Sequence, residues 1–397
     1  MWIESSLADL LRVEHGFAFK GEYFSETGKY VVLTPGNFHE EGGFRVRPGK
    51  DRFYSAKFPE RYLLRKGDLI VAMTEQGEGL LGAAALIPES SMYLHNQRLG
   101  LVKEKPQVAD RRFLYYLFNI DNVRQQIRNS SSGAKVRHTS PERIYGVKVR
   151  VPDKITQQQI AAILSAYDDL IENNRRRIAL LEKMAEEIYR EWFVRMRFPG
   201  HEQAMFEKGV PADWKQTTLG DVLELCYGKA LKDNDRVPGH FSVYGSGGVV
   251  GTHNKGFVPG PGIIVGRKGN VGSVYWSDET FFPIDTVYYV RSDISMHFLY
   301  FVLQSMNFIN NDAAVPGLNR NQAYSNKVLL PAGHLIDKFS AQAQKIFDFK
   351  NNLVAQSQTL ETTRNALLPR LISGKLPVEN LDIRFPPSMR DEECRPG

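Results

Sequence analysis

Trp2-Ile-Glu-Ser-Ser-Leu7-Ala-Asp9-Leu10-Leu11 lines up with Trp214-Lys-Gln-Thr-Thr-Leu219-Gly-Asp221-Val222-Leu223, residue for residue. The alignment runs without a gap through Gly16 and Gly228 to Lys20 and Lys232, at a constant offset of 212. Further along, Asp68-Leu-Ile-Val-Ala-Met73 matches Gly262-Ile-Ile-Val-Gly-Arg267, and Phe113-Leu-Tyr-Tyr-Leu117 matches Phe298-Leu-Tyr-Phe-Val302. Val149-Arg-Val-Pro152 then matches Val328-Leu-Leu-Pro331 at an offset of 179. The offset shrinks while the order of elements holds, so the second copy is shorter by loop deletions. A repeat of this length reads as two tandem copies of one domain.

Each copy ends in the same element. After Pro152, Thr156-Gln-Gln-Gln159 has capping-box spacing, and no Gly or Pro interrupts Ile160 to Trp192. Ile160, Tyr167, Asn174, Leu181 and Ile188 fall at heptad spacing, flanked by Leu164, Leu170, Ile171, Ile178, Met184, Ala185 and Trp192. The second copy shows Phe339, Ile346, Leu353, Leu360 and Leu367 in the same register, flanked by Phe349 and Leu371. A helix of ~33 residues is ~50 Å long, more than an ordinary globular helix requires. One such stripe alone would read as a helix packed on its own domain. Two in equal register are best buried against each other, as an antiparallel coiled coil with Asn174 fixing the register. The expected fold is α+β, with two pseudo-symmetric β-rich domains separated by two long antiparallel helices. Its parts are a first domain at 1–152, a central helix at 153–198, a second domain at 199–332, a C-terminal helix at 333–376 and a flexible tail at 377–397.

Within each copy, short apolar or alternating runs predict strands: Leu69–Met73, Arg98–Val102, Ile263–Val265 and Asp285–Val290. Arg111 to Arg128 and Met296 to Asn310 read as helical. Tyr244-Gly-Ser-Gly-Gly-Val-Val-Gly251 reads as tight turns between strands.

The 397 residues carry 51 Lys and Arg against 45 Asp and Glu, for a net charge of +6. Residues 1–150 hold 23 basic and 17 acidic residues, while 198–334 hold 11 and 12. The surplus favours a polyanionic partner and places most of it in the first copy. No apolar run approaches the length of a transmembrane helix, and the N-terminus lacks the pattern of a signal peptide. The two cysteines, Cys226 and Cys394, make neither a disulfide scaffold nor a cysteine zinc site, so a cytoplasmic location is expected.

The motifs that catalysis needs are missing. Gly77-Glu-Gly79-Leu-Leu-Gly82 has dinucleotide-fingerprint spacing, but Pro88 closes the segment before a helix could hold a pyrophosphate. Ser373-Gly-Lys375 lacks the flanking residues of a phosphate-binding loop, and the nine His form no metal-binding pattern. No nuclease or amino-methyltransferase motif occurs. The chain reads as non-catalytic, with no metal and no cofactor of its own.

The loops after equivalent strands carry the chemistry instead. Thr74 and Gln76 in the first copy stand against Arg267, Lys268 and Asn270 in the second. His95-Asn-Gln97-Arg98 stands against Pro283-Ile-Asp-Thr286, with Gln97 and Arg98 as candidates. Lys135-Val-Arg137-His138 is paired with Leu318-Asn319-Arg320-Asn321. Arg and Lys suit guanine N7 and O6, Gln and Asn suit adenine, and Glu accepts from cytosine. One scaffold with two different loop sets is what two distinct half-sites would require, although solvated polar loops read the same way residue by residue.

The order domain, long helix, domain, long helix resembles the specificity subunit of type I restriction–modification systems. Gln158-Gln-Ile160 through Asp169-Leu-Ile-Glu-Asn-Asn174 to Arg190-Glu-Trp-Phe193 is similar to that family's central helical region. Leu367-Leu-Pro-Arg-Leu-Ile-Ser-Gly-Lys-Leu376 resembles its C-terminal helical region. Tyr244–Gly247, Arg267–Gly272, Pro283–Asp285, Asp213-Trp214 and Leu219–Asp221 resemble its domain motifs, so the likeness spans residues 1–376. A departure from the family's pattern is the first copy's start at Trp2, almost without a leader.

The resemblance implies a DNA-reading subunit of a methyltransferase/endonuclease complex. Each domain would read one half of a bipartite target in double-stranded DNA, and the helices would space the halves. Two modification subunits carrying S-adenosylmethionine would dock on the helices, with Trp192, Phe193 and Leu368 as candidate contacts. Restriction or translocase subunits can join such complexes. The alternative is a coiled-coil scaffold, or a DNA-binding subunit of another defence or modification complex without restriction activity.

Overall fold

The computed structural model describes residues 2–75, 79–133, 136–308 and 317–393, with backbone alone for 391–393. The chain forms two compact units, one of residues 1–174 and 356–397 and one of residues 175–355. Each unit holds one copy of the repeat and a part of each long helix.

In the first unit the chain enters through β1 (Ile3–Ser6) and forms β2 (Leu11–His15), β3 (Leu69–Ala72), β4 (Ala84–Leu86) and β5 (Leu99–Glu104). It leaves through β6 (Lys148–Val151), which pairs antiparallel with β1 so that Ile3 faces Val151. The main sheet is antiparallel, in the order β2-β5-β3-β4. The second unit repeats this with β7 (Lys215–Thr218), β8 (Glu224–Tyr227), β9 (Gly262–Gly266), β10 (Val274–Ser277), β11 (Val287–Arg291) and β12 (Lys327–Leu330). Its sheet runs β8-β11-β9-β10, and β7 pairs with β12. β3 and β9 are buried along their whole length, which is why they read as unbroken apolar runs. A smaller sheet in each unit adds a parallel pair, Tyr30–Val32 with Tyr93–Leu94 and Phe241–Gly245 with Phe281–Pro283.

The repeat holds down to single hydrogen bonds. Ser6 and Asp9 form a capping box on the turn of helix after β1, and Thr218 and Asp221 form the same one after β7. Val13 N–H donates to the Tyr145 hydroxyl, and Leu225 N–H to that of Tyr324. Gly16 and Gly228 occupy one crowded position. A Cβ there would lie 2.1 Å from the Asn96 carbonyl oxygen in one unit and 2.1 Å from that of Ile284 in the other. Only glycine allows so close a backbone approach.

The first long helix spans Lys154–Tyr189 and continues as a π turn through Val194; the second spans Gly333–Ile372. They pair antiparallel in both units. In the first unit Ile160, Ala161 and Leu164 share a core with Leu371 and Ile372, while Asp168 meets Arg364. In the second, Tyr189 and Trp192 pack on Phe339 while Glu182 meets Lys350. Asn174 is buried, as its heptad position requires.

Four expectations need correction. The first helix is capped by Asp153, which accepts from Thr156 N–H and Oγ1–H; these bonds hold its carboxyl below the usual range, and Thr156 already lies inside the helix. Arg111 to Arg128 is two helices, Arg111–Phe118 and Asp121–Asn129. They part at Asn119, whose side chain bonds both the N–H and the carbonyl of Ala84. The second-copy helix ends at Ser305, not Asn310. Residues 377–390, expected as a flexible tail, pack on the first unit: Val378 and Met389 are buried there, and Ser388 N–H donates to Asp169.

The helix pair differs between the units at one equivalent place. In the first unit the Tyr116 hydroxyl donates to Asp168, which binds Arg364. The equivalent positions in the second unit are Phe301, Phe347 and Ala185, all apolar and buried. Arg364 and Asp168 keep less than a third of their side-chain surface exposed. Arg364→Ala is expected to cost about 2–3 kcal/mol in urea unfolding, because Asp168 loses its cation while staying sheltered. Loss of less than half of that would show the pair to be incidental.

Candidate nucleic-acid interface

In the first unit three loops meet at the end of β3. Met73 N–H donates to the Arg98 carbonyl, Thr139 N–H to that of Met73, and Glu75 N–H to that of Arg137. In the second unit the first two of these contacts recur at the end of β9. Arg267 N–H donates to the Thr286 carbonyl, and Leu318 N–H to that of Arg267. The loops singled out from sequence are therefore gathered into one surface in each unit, by backbone bonds indifferent to side-chain identity. Side chains there can change without loss of the scaffold.

The bonds also correct one pairing. Thr139, not Lys135, is the counterpart of Leu318, and Ser140 and Pro141 are the counterparts of Asn319 and Arg320. Ser140 and Asn319 each cap the short helix that follows. The sequence pairing is displaced by four residues, because 135–138 shares polar composition with 318–321 whereas Ser140 shares the helix start with Asn319.

In the first unit Gln97 and Arg98 are exposed at the loop tip. Thr74 is only 7% exposed, and its hydroxyl bonds His138 Nδ1, so it positions the neighbouring loop and offers no free edge. Glu75 faces inward, with Arg128 Nη2 at 3.3 Å and Arg137 Nε at 3.8 Å, while accepting from Gly79 N–H. It is a brace for two arginines and not an acceptor for cytosine. Arg137 is thereby half-buried and oriented, and Arg143 is tied to Ser132 Oγ and the His138 carbonyl. Gln76 and Lys135 lie outside the described residues.

In the second unit Lys268, Asn270 and Asn319 are exposed. Asn319 Oδ1 accepts from Asn321 and Gln322 N–H, so its amide serves the helix cap. Arg267 and Arg320 are half-buried, each with its guanidinium carbon 5.3 Å from the centre of the Tyr227 ring. Tyr227 packs on Tyr288, whose hydroxyl donates to the Leu318 carbonyl. Burial, then the bond with Tyr227, pushes the Tyr288 hydroxyl up to about 12, so it stays a neutral donor. Tyr227 was not legible as a site residue; its only signal was a strand-end aromatic facing the end of β9.

The partner-contact candidates Trp192 and Phe193 are core residues. They are 8% and 7% exposed, and Phe193 packs among Trp214, Phe298 and Phe339. The aromatic cluster of the second copy covers the helix end that the stripe alone left bare. Leu368 is partly buried against the first unit's core. Among the described residues no group of His, Cys, Asp and Glu could hold a metal ion, and no helix is long and apolar enough to cross a membrane.

Two copies of one mixed domain, each with a gathered loop surface and each launching a long helix, define a tandem-repeat protein whose two loop surfaces carry different side chains. The chain belongs to the type I restriction modification DNA specificity domain family, whose model matches residues 1–183 and 211–369. It is 25% identical over 301 residues to the type I restriction enzyme MjaIX specificity subunit of Methanocaldococcus jannaschii, covering 68% of this chain and 70% of that one. It is 23% identical to the HindI specificity subunit of Haemophilus influenzae, covering 94% and 99%. The crystal structure of a type I restriction-modification S subunit from M. genitalium shares the fold, with a TM-score of 0.57 at 17% identity over 94% of this chain and 96% of that one.

His95, on the second loop of the first unit, is 1% exposed and bonds the Leu99 carbonyl through Nε2, which fixes Nε2 as the protonated nitrogen. Burial pulls its pKa down to about 4. A depressed folded value means stability that is full above the unfolded value of about 6.5 and lost as pH falls towards 4. His95→Gln should therefore flatten the unfolding free energy between pH 6.5 and 4. An unchanged slope would show that this histidine does not contribute.

Proposed function

We propose that this chain is the non-catalytic DNA-reading subunit of a type I restriction–modification complex. Each unit's loop surface reads one half of a bipartite target in double-stranded DNA. The two long helices set the gap between the halves and carry two modification subunits. Those subunits supply S-adenosylmethionine and the methyl transfer, and restriction subunits can join them.

One observation carries this reading: equivalent backbone positions in the two units differ in what they expose, Gln97 and Arg98 standing where the second unit has Asp285 and Thr286, and buried residues standing where it has Arg267, Lys268 and Arg320. Met73 stands where the second unit has Arg267, Thr74 where it has Lys268, and Pro141 where it has Arg320. A shared scaffold with shared reading side chains would read a repeated sequence. A shared scaffold with different ones reads two unlike sequences. The length of the helices fits the spacing role, since 36 residues make ~54 Å, or ~16 base pairs at ~3.4 Å each.

For the modification subunits, exposed apolar residues on the helices are the better docking candidates. Leu170 is 50% exposed in the first unit; Leu180, Met184 and Phe349 are 66%, 46% and 44% exposed in the second. Large apolar side chains left bare on a helix suit a partner of like character. Leu180→Glu with Met184→Glu should weaken co-purification of a modification subunit by about tenfold or more without lowering the melting temperature. Trp192→Ala should instead lower the melting temperature, having emptied a core site. The reverse pattern would restore Trp192 as the contact.

The reading itself is tested by methylation of a DNA library randomised at both halves, using the assembled complex. Gln97→Ala or Arg98→Ala should relax preference at one half by ~1–3 kcal/mol, about 5- to 150-fold, and leave the other half unchanged. Equal loss at both halves would contradict separate reading.

A further inference from the structure

We propose that Arg267, held flat between Tyr227 and the Asp285 carbonyl, reads a single guanine in the half-target of the second unit. This rests on the reading above and names one base and one residue within it.

The Arg267 main chain is fixed on both sides by its bonds to Thr286 and Leu318. Its side chain is fixed as well: Nε and Nη2 both donate to the Asp285 carbonyl, at 3.1 and 2.7 Å. The guanidinium lies over Tyr227 and, at 5.9 Å, Tyr288. One edge of the fork is thus committed and its plane is set by the rings. Among the described residues the end of the fork, Nη1 with the remaining N–H of Nη2, meets no acceptor and is left to donate. Guanine offers N7 and O6 side by side in the major groove, and two coplanar donors match that pair. The rigid fork has already given up much of its rotamer freedom, so little is lost when it binds.

Charge points the same way. Arg267 and Arg320 share the Tyr227 ring, and among the described residues neither has a carboxylate partner. Two cations on one ring without a carboxylate partner favour an acceptor-rich partner. Arg320 makes no side-chain hydrogen bond among the described residues, so its fork is free to follow a phosphate, whereas that of Arg267 is not.

The first unit shows that the cluster is not needed by the scaffold. Strand pairing sets His15 against Gly100 there and Tyr227 against Tyr288 here. Met73, 3% exposed, takes the place of Arg267, and its sulfur lies 3.2 Å from where a Gly100 Cβ would be. Pro141 takes the place of Arg320. The first unit fills the space with a thioether and keeps the same backbone bonds. The cationic cluster is an addition of the second copy, placed where the loops converge.

The test uses the complex with its modification subunits and a library randomised across both half-targets. Wild type should demand guanine at one position of the second unit's half. Arg267→Ala should remove about 10- to 100-fold of that preference and leave every other position intact. Arg267→Lys, which keeps the charge and loses the fork, should fail at the same position. Arg320→Ala should instead lower affinity for all sequences and reduce the salt dependence of binding. Unaltered guanine preference in both Arg267 variants, or a uniform loss with a reduced salt slope, would overturn the inference. In either case a wild-type complex that still reads two separate halves leaves the broader reading standing. A wild type without a bipartite preference would remove that reading too.

Discussion

The structure depends on one pairing made twice: the first strand of each copy lies against its last. β1 against β6 and β7 against β12 close each domain on itself, so the chain leaves a domain beside the point where it entered. The next residues in both cases begin a long helix. A helix launched from a closed domain carries an apolar stripe that its own domain covers only in part. The equal register of the two stripes lets each bury the rest on the other, in opposite directions. The pairing of strand ends and the pairing of helices are thus one arrangement, because the first fixes where the second begins.

Within this frame the gathered loop surface is free to vary. Backbone bonds hold the three loops together at the ends of β3 and β9, and capped short helices terminate the third loop in both units. The stability of the gathered loops comes from main-chain groups and from inward-facing braces such as Glu75 and His95. Exposed positions carry little of it. Such a division of labour separates recognition from folding, and two copies of one scaffold can then diverge in what they contact.

The repeat and the heptads were legible because both are periodic: an unbroken offset and a seven-residue spacing need no knowledge of tertiary contacts. Strands β3 and β9 were legible as apolar runs for the same reason. What failed was decided by contacts distant in sequence. Asp153 outcompeted Thr156 as the helix cap because Pro152 and β6 set where the helix starts. Trp192 and Phe193 looked like bare helix-end residues until Trp214, Phe298 and Phe339 covered them. The inward turn of Glu75 follows from Arg128 and Arg137, neither adjacent to it in sequence. The Tyr227 platform depends on two arginines 40 and 93 residues further along the chain.

The proposal that one scaffold used twice reads two unlike halves is tested most directly by mapping methylated positions across the genome of cells carrying this chain and the modification subunit proposed for it. The account predicts a single motif of two dissimilar specific parts separated by a gap of fixed length and no sequence preference. A continuous motif, or two identical parts, would contradict it.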